Sequence, residues 1–220
     1  MKKVPIIIGI LAAAGIFAAI VWEQRRSNVT TPAPVLSDAG PAGENAPAPQ
    51  EAPRAELPFD INTYTSTTTG FSISYPSIYK LKESGKQTPD FGTLAPIIMI
   101  SSPEVERQGT NLVASSVIVG SVTEKAALDT CTKPQPGESR LGSIEISQAP
   151  FSIFIYDGTA AGNFYQTVRY RAVRSGVCYE VTLLMHSGNI GNYPEGSVKE
   201  FDRPVTLERL KAILYSFKFN

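Results

Sequence analysis

The side chains that build reactive centres are scarce in this chain. Its 220 residues include one histidine, one tryptophan, three methionines and two cysteines. One imidazole and two thiols fall short of the four nitrogen or sulfur ligands of a closed transition-metal site. No metal or cofactor is therefore expected. Charge is thin as well: 18% of residues are charged, and 20 basic side chains balance 20 acidic ones. Nucleic-acid binders carry a basic surplus, so no nucleic-acid partner is expected. Also missing are a phosphate-binding loop, a dinucleotide fingerprint, an HExxH pair, an EF-hand loop and a G-x-S-x-G elbow.

What is present divides the chain in three. From Val4 to Trp22 runs an apolar stretch flanked by Lys2-Lys3 and Arg25-Arg26. A helix of about 19 residues spans roughly 28 Å, the thickness of a bilayer core. It ends in Ile20-Val21-Trp22 rather than in a small-residue cleavage site, and no cysteine follows for lipidation. Residues 4–22 are read as an uncleaved single-pass signal anchor in the lipid bilayer, with a cleaved signal peptide as the alternative. The flanking charges do not set the orientation. The short N-terminal tail and the pair of cysteines place the C-terminal domain outside the cytoplasm. Residues 27–60 are rich in Pro and Ala and lack aromatics until Phe59. Such a stretch buries too little to fold, and it reads as a disordered tether.

Residues 61–220 carry the folded domain. Phe71–Tyr75 alternates as a strand with one buried face, and Ile97–Ile100 reads as a strand covered on both. Further strands are expected at 113–119, at 144–146 and at 151–156, where Asp157-Gly158 should break the run. The clearest unit is a hairpin of 163–173 with 177–187. With Ser175-Gly176 as a two-residue turn, Tyr170, Val168 and Ala172 meet Val181, Leu183 and Tyr179 on one face. Arg171 then meets Glu180 on the other, and a one-residue slip would lose both agreements. A short helix is expected at 123–129, capped by Thr123. A C-terminal helix should start at Asp202-Arg203-Pro204, with Leu207, Leu210, Ile213, Leu214 and Phe217 on one face. Strands followed by a closing helix define an α+β domain, an antiparallel sheet flanked by helices.

Candidate sites are few. Cys131 and Cys178 could close a disulfide loop worth about 4 kcal/mol in the chain-entropy model; two free thiols are the alternative. His186, Ser187 and Asp202 suggest a hydrolase triad, yet adjacent strand residues point to opposite faces. Arg169 and Arg171 could receive an anion, but pairing with Glu180 and nearby carboxylates is the better reading. Tyr156, Phe164, Tyr165, Tyr170 and Tyr179 could stack sugars or simply fill a core. A binding edge is expected at Asp157, Asn163, Tyr165, Arg169, Arg171, Asn189 and Asn192, from loops and strand ends.

Gly70-Phe71-Ser72-Ile73-Ser74-Tyr75-Pro76 resembles the opening strand of PsbP-like domains. Leu214-Tyr215-Ser216-Phe217-Lys218-Phe219 is similar to their closing helix and Ser-Phe strand. Gly109–Leu112, Ala161–Tyr165 and Cys178-Tyr179-Glu180 look like those of anchored bacterial proteins of this shape. The resemblance implies an antiparallel sheet sandwiched between helices, and no catalysis. The expectation is thus a non-enzymatic envelope protein that binds a protein or cell-wall partner. The alternatives are a small-ligand or sensory module, or a hydrolase using carboxylates such as Glu180, Asp157 or Asp202.

Overall fold

The structure is a computed structural model that describes residues 60–83 and 94–220. The expected anchor at 4–22 and, Asp60 apart, the tether at 27–60 lie outside the described residues. Among the described residues no helix is long and apolar enough to cross a membrane. In chain order the elements are β1 (Ile61–Ser66), β2 (Phe71–Pro76), β3 (Lys80–Glu83), β4 (Pro96–Ser101), β5 (Leu112–Val122) and α1 (Lys125–Thr130). There follow β6 (Ser139–Ile146), β7 (Ala149–Ala160), β8 (Asn163–Arg174), β9 (Val177–Gly188), α2 (Arg203–Leu214) and β10 (Lys218–Phe219).

The hairpin at the centre has the register its side chains imply. Arg174 lies opposite Val177, Arg171 opposite Glu180 and Tyr170 opposite Val181. Ser175 and Gly176 both take positive φ, 51° and 74°. That is the turn whose twist suits two-residue hairpins, and a glycine at its second position adopts it without strain. Around the hairpin grows a seven-stranded antiparallel sheet in the order β3-β4-β5-β9-β8-β7-β6. It consists of two meanders, β3–β5 and β6–β9, joined along the β5–β9 seam.

The sheet has two unlike faces. Ile98, Ile100, Val117, Val119, Tyr170, Val181 and Leu183 point to one, where they join Leu210, Ile213 and Leu214 of α2 in the main core. Asp202 caps α2 as expected, its carboxylate accepting from the Val205 amide at 2.9 Å. A three-stranded sheet in the order β1-β2-β10 closes the same core. It brings together the two motifs that bracket the domain in sequence. Phe71 stacks on Phe217 with centroids 5.4 Å apart, and Phe219 pairs with Phe71 in the ladder. Ser216 receives the Ser74 amide and donates to the Ser74 carbonyl, both at 2.8 Å. The Tyr179 hydroxyl donates to the Thr69 carbonyl at 2.6 Å, tying the small sheet to the large one.

Residues 123–138 form a strap over the second face of the large sheet. Its α1 packs against β9, and its Cys131 is bonded to Cys178 with the Cα atoms 5.9 Å apart. The domain is therefore mostly antiparallel β with two short helices, one on each face.

Several local expectations need correcting. The short helix runs Lys125–Thr130, with Glu124 rather than Thr123 at its N-cap and no side-chain cap bond. β7 does not break at Asp157-Gly158 but continues to Ala160. There β8 supplies a full ladder, with Asp157 opposite Gln166 and Gly158 opposite Tyr165. β4 is not covered equally on both faces: Ile98 and Ile100 are buried, whereas Ile97 and Met99 are half-buried. The reason is that Ile98 and Ile100 face the main core, whereas α1 of the strap packs against β9 rather than β4.

Candidate functional site

Alternate residues of a strand share a face. On the strap side, β8 presents Asn163, Tyr165, Thr167, Arg169 and Arg171, and β9 presents His186, Leu184, Thr182, Glu180 and Cys178. β7 adds Gly158, Tyr156, Phe154 and Ser152. The strap lays Glu138 onto this face, and among the described residues a buried cluster of four charges results.

Arg171 donates Nε to Glu180 Oε2 at 2.5 Å and Nη1 to Glu138 Oε2 at 2.9 Å; its Nη2 donates to Glu138 Oε1. Nη1 also reaches the Lys133 carbonyl at 3.3 Å. Arg169 donates to Glu138 Oε1 at 2.5 Å, and Thr182 donates to Glu180 Oε1 at 2.9 Å. Glu138 further accepts the Gln135 amide at 2.7 Å, which folds the strap's last turn around the carboxylate. Burial pushes the Glu138 carboxyl up, but the hydrogen bonds from Arg171 and the Gln135 amide, the Arg171 charge and the Arg169 bond outweigh it. Its pKa lies below the ordinary glutamate value. The guanidiniums also lie over rings, Arg169 5.5 Å from the Tyr156 centroid and Arg171 4.9 Å from that of Phe154.

Beside the cluster, strap and sheet diverge and leave a cleft of about 780 Å³. Its floor is Tyr156, Gly158, Tyr165, Arg169 and Arg171; Ala127, Thr130, Gln135 and Pro136 of the strap face them. Thr159, Ala160 and Leu94 complete the rim. The Tyr156 ring is wedged between two glycines: a Cβ added at Gly137 or at Gly158 would come within 3.0 Å of it. Glycine at both positions lets the ring lie flat between strap and sheet. Past Tyr165 the face continues to His186, which stacks on the Tyr165 ring at 4.4 Å and 19°. Its Nε2 is 3.0 Å from Asn163 Oδ1. Burial lowers the His186 pKa, so the ring is neutral near pH 7.

The expected binding edge is divided by the structure. Asn163 and Tyr165 meet at His186. Asn192 joins them through the turn, donating to the Gly162 carbonyl at 3.2 Å, and Asn189 donates its amide to the same carbonyl at 2.8 Å. The Asn189 side chain is spent within its own loop, accepting the Gly191 amide at 3.0 Å. Arg169 and Arg171 are not at an edge but under the strap. Asp157 lies on the opposite face of β7, bound by Gln166 at 3.0 Å. The aromatic set divides likewise: Tyr170 and Tyr179 are buried in the main core, Phe164 is exposed, and Tyr156 and Tyr165 line the cleft. No triad geometry forms, because His186 is engaged with Asn163 and Asp202 with the cap of α2. Of the carboxylates considered for hydrolysis, Glu180 and Asp157 lie on opposite faces of the sheet and Asp202 sits at the head of α2.

Sequence reasoning missed Glu138, which pairs with both arginines, and the cleft itself. The signal available was the disulfide. A chain pinned at Cys131 to Cys178 must run along the Arg171–Glu180 face, and its first acidic residue is Glu138.

No family model and no curated protein matches the chain. Among solved structures it is similar to a Bacteroides thetaiotaomicron protein at 12% identity and a TM-score of 0.44, over 72% of this chain. It spans about half (48%) of that protein's length. It is similar to cyanobacterial PsbP (CyanoP) from Synechocystis at 11% identity and a TM-score of 0.41, over 79% of this chain and 100% of that one. It is also similar to LpqN of Mycobacterium tuberculosis, a protein involved in cell envelope biogenesis, at 10% identity and a TM-score of 0.42, over 73% and 91% of the two chains.

Proposed function

We propose that this protein is a non-catalytic, extracytoplasmic binding domain that holds a small ligand in the cleft between strap and sheet, tethered to the membrane through residues 4–22. The observation that carries the reading is the cleft: about 780 Å³, floored by two tyrosines and the paired arginines, roofed by the strap, and adjoining the His186–Asn163 pair. Volumes of this order and linings of this kind hold small ligands. The bonded cysteines support an oxidising compartment, since such bonds are rare in the cytosol. The two PsbP-like motifs meeting in one small sheet support placement among PsbP-like domains. A protein or cell-wall partner would meet the same end of the domain, at the Asn163–Asn192 turn.

The test is native mass spectrometry of the purified full-length chain, with a thermal-shift screen of uncharged and charged small molecules. Ala160→Trp places a bulky ring at the rim without entering the core. A bound mass or thermal shift present in the wild type and absent in Ala160→Trp is the expected result. Binding that survives Ala160→Trp unchanged, or a wild type that binds nothing, would overturn the proposal.

A further inference from the structure

We infer that the Cys131–Cys178 bond is a redox latch: it holds the first half of the strap, residues 123–131, against the sheet, and its reduction by a dithiol releases that half while Glu138 keeps the second half seated. As a gate on the cleft, the latch rests on the binding reading above. The two halves of the strap are attached by different means. In the second half, the fully buried Glu138 carboxylate accepts from Arg171 and from the Gln135 amide, and Arg171 also donates to the Lys133 carbonyl at 3.3 Å. In the first half, the hydrogen bonds of residues 123–130 stay within the strap among the described residues. The Ala127 and Leu128 amides donate to the Glu124 carbonyl, the Thr130 hydroxyl donates to the Ala126 carbonyl, and Lys125 pairs with Asp129 at 3.1 Å. α1 itself has six residues, no side-chain cap bond and no fully buried residue. The sulfur bridge at its C-cap, Cys131, is what ties it to β9.

Helices shorter than about 12–15 residues are marginal in water unless packing supports them. α1 is well below that length and buries little, so cutting its bridge leaves too little to offset the entropy of holding it in place. The released half carries Ala127 and Thr130, which face the cleft floor, whereas Gln135 and Pro136 stay with the anchored half. Reduction thus removes one wall of the cleft and keeps the other. The exchange begins at Cys131, which lines the cleft, because Cys178 is fully buried. One thiolate of the dithiol attacks the Cys131 sulfur, the S–S bond breaks, and Cys178 leaves as a thiolate that takes a proton from solvent. The second thiol then displaces Cys131, which leaves as a thiol. The dithiol ends as its own disulfide, and two electrons and two protons have passed to the protein.

The experiment is hydrogen exchange on the full-length chain, oxidised and after native treatment with dithiothreitol, with Cys131→Ala/Cys178→Ala as a permanently unlatched variant. The Ala127 and Leu128 amides should exchange at least about tenfold faster in the reduced chain and in the double variant. The Gln135 amide and the amides of β9 should change less than about threefold. Glu138→Gln, left oxidised, should do the reverse, speeding Gln135 and sparing Ala127 and Leu128. Three results overturn the latch: a bond that dithiothreitol leaves intact under native conditions, unchanged exchange at Ala127 and Leu128 once the bond is gone, or release of Gln135 and β9 together with them. Should the double variant fail to fold, the dithiothreitol arm decides alone. The readout needs no ligand. A wild type that binds nothing in the thermal-shift screen therefore overturns the binding reading and leaves the latch, whereas unchanged exchange overturns the latch and leaves the binding reading.

Discussion

Replacing Glu138 with Gln tests how the strap is held. The side chain is fully buried and receives Arg169, two nitrogens of Arg171 and the Gln135 amide. Glutamine preserves the volume and one accepting oxygen but removes the charge. Arg171 would then keep Glu180 as its one hydrogen-bonded carboxylate among the described residues. Removing one partner of a buried pair costs about 3–5 kcal/mol, and the retained amide contacts place this variant near 3 kcal/mol. At roughly 2–4 °C per kcal/mol for a domain of this size, Tm should fall by about 6–12 °C. Glu145→Gln, at an exposed position on β6, should change stability by less than about 0.5 kcal/mol. The pH profile supplies the sign. Because the folded pKa of Glu138 is depressed, its stabilisation is complete above the unfolded value of about 4.3 and is lost as pH falls through the folded one. Urea denaturation of wild type and Glu138→Gln should therefore differ at neutral pH and converge in acid. A loss below about 1 kcal/mol at pH 7, or a gap that persists unchanged at low pH, would refute the account.

Reducing the Cys131–Cys178 bond, which closes a separation of 47 residues, should cost at most ~4 kcal/mol; non-reducing peptide mapping should recover the two cysteines joined. Leu210→Ala, at a fully buried position of α2, should cost about 2–5 kcal/mol in denaturant titrations, and a loss under 1 would show that α2 does not close the core. Asp202→Ala removes the carboxylate that caps α2 and should cost ~1 kcal/mol, read the same way. Gly158→Ala should weaken cleft binding more than it lowers Tm, because the nearest atoms its new methyl meets belong to the Tyr156 ring.

The parts of the fold that were legible are those whose information is local. The β8–β9 register followed from period-2 alternation around Ser175-Gly176, and the start of α2 from Asp202-Arg203-Pro204. β1 and β3 escaped notice because their side chains are mostly exposed and carry no apolar alternation. The continuation of β7 through Asp157-Gly158 depends on the ladder from β8, a tertiary effect that overrides turn propensity. The candidate site was half visible for the same reason. Arg171 facing Glu180 could be read from one hairpin, whereas Glu138 and the cleft exist only after the strap crosses the sheet. Asn163 and Tyr165 belong to the expected edge and His186 does not; the register sets the three side by side.

The seam between β5 and β9 has a consequence for how the chain matures. Each meander forms from neighbours in sequence, but β5 must wait for β9, separated from it by the whole of the strap and β6–β8. Until β9 is made, the edge of β5, with Val117, Ile118 and Val119, stands as an open template of the kind that recruits foreign strands. The late pairing is slow because it is distant in sequence. Cys178 arrives on that same late strand, so the covalent tie to Cys131 in its native geometry accompanies the closing of the vulnerable edge. Oxidation of the pair thereby becomes a timestamp of completed assembly. A pulse-chase that follows thiol alkylation should report in one measurement both the bond and the end of the aggregation-prone interval.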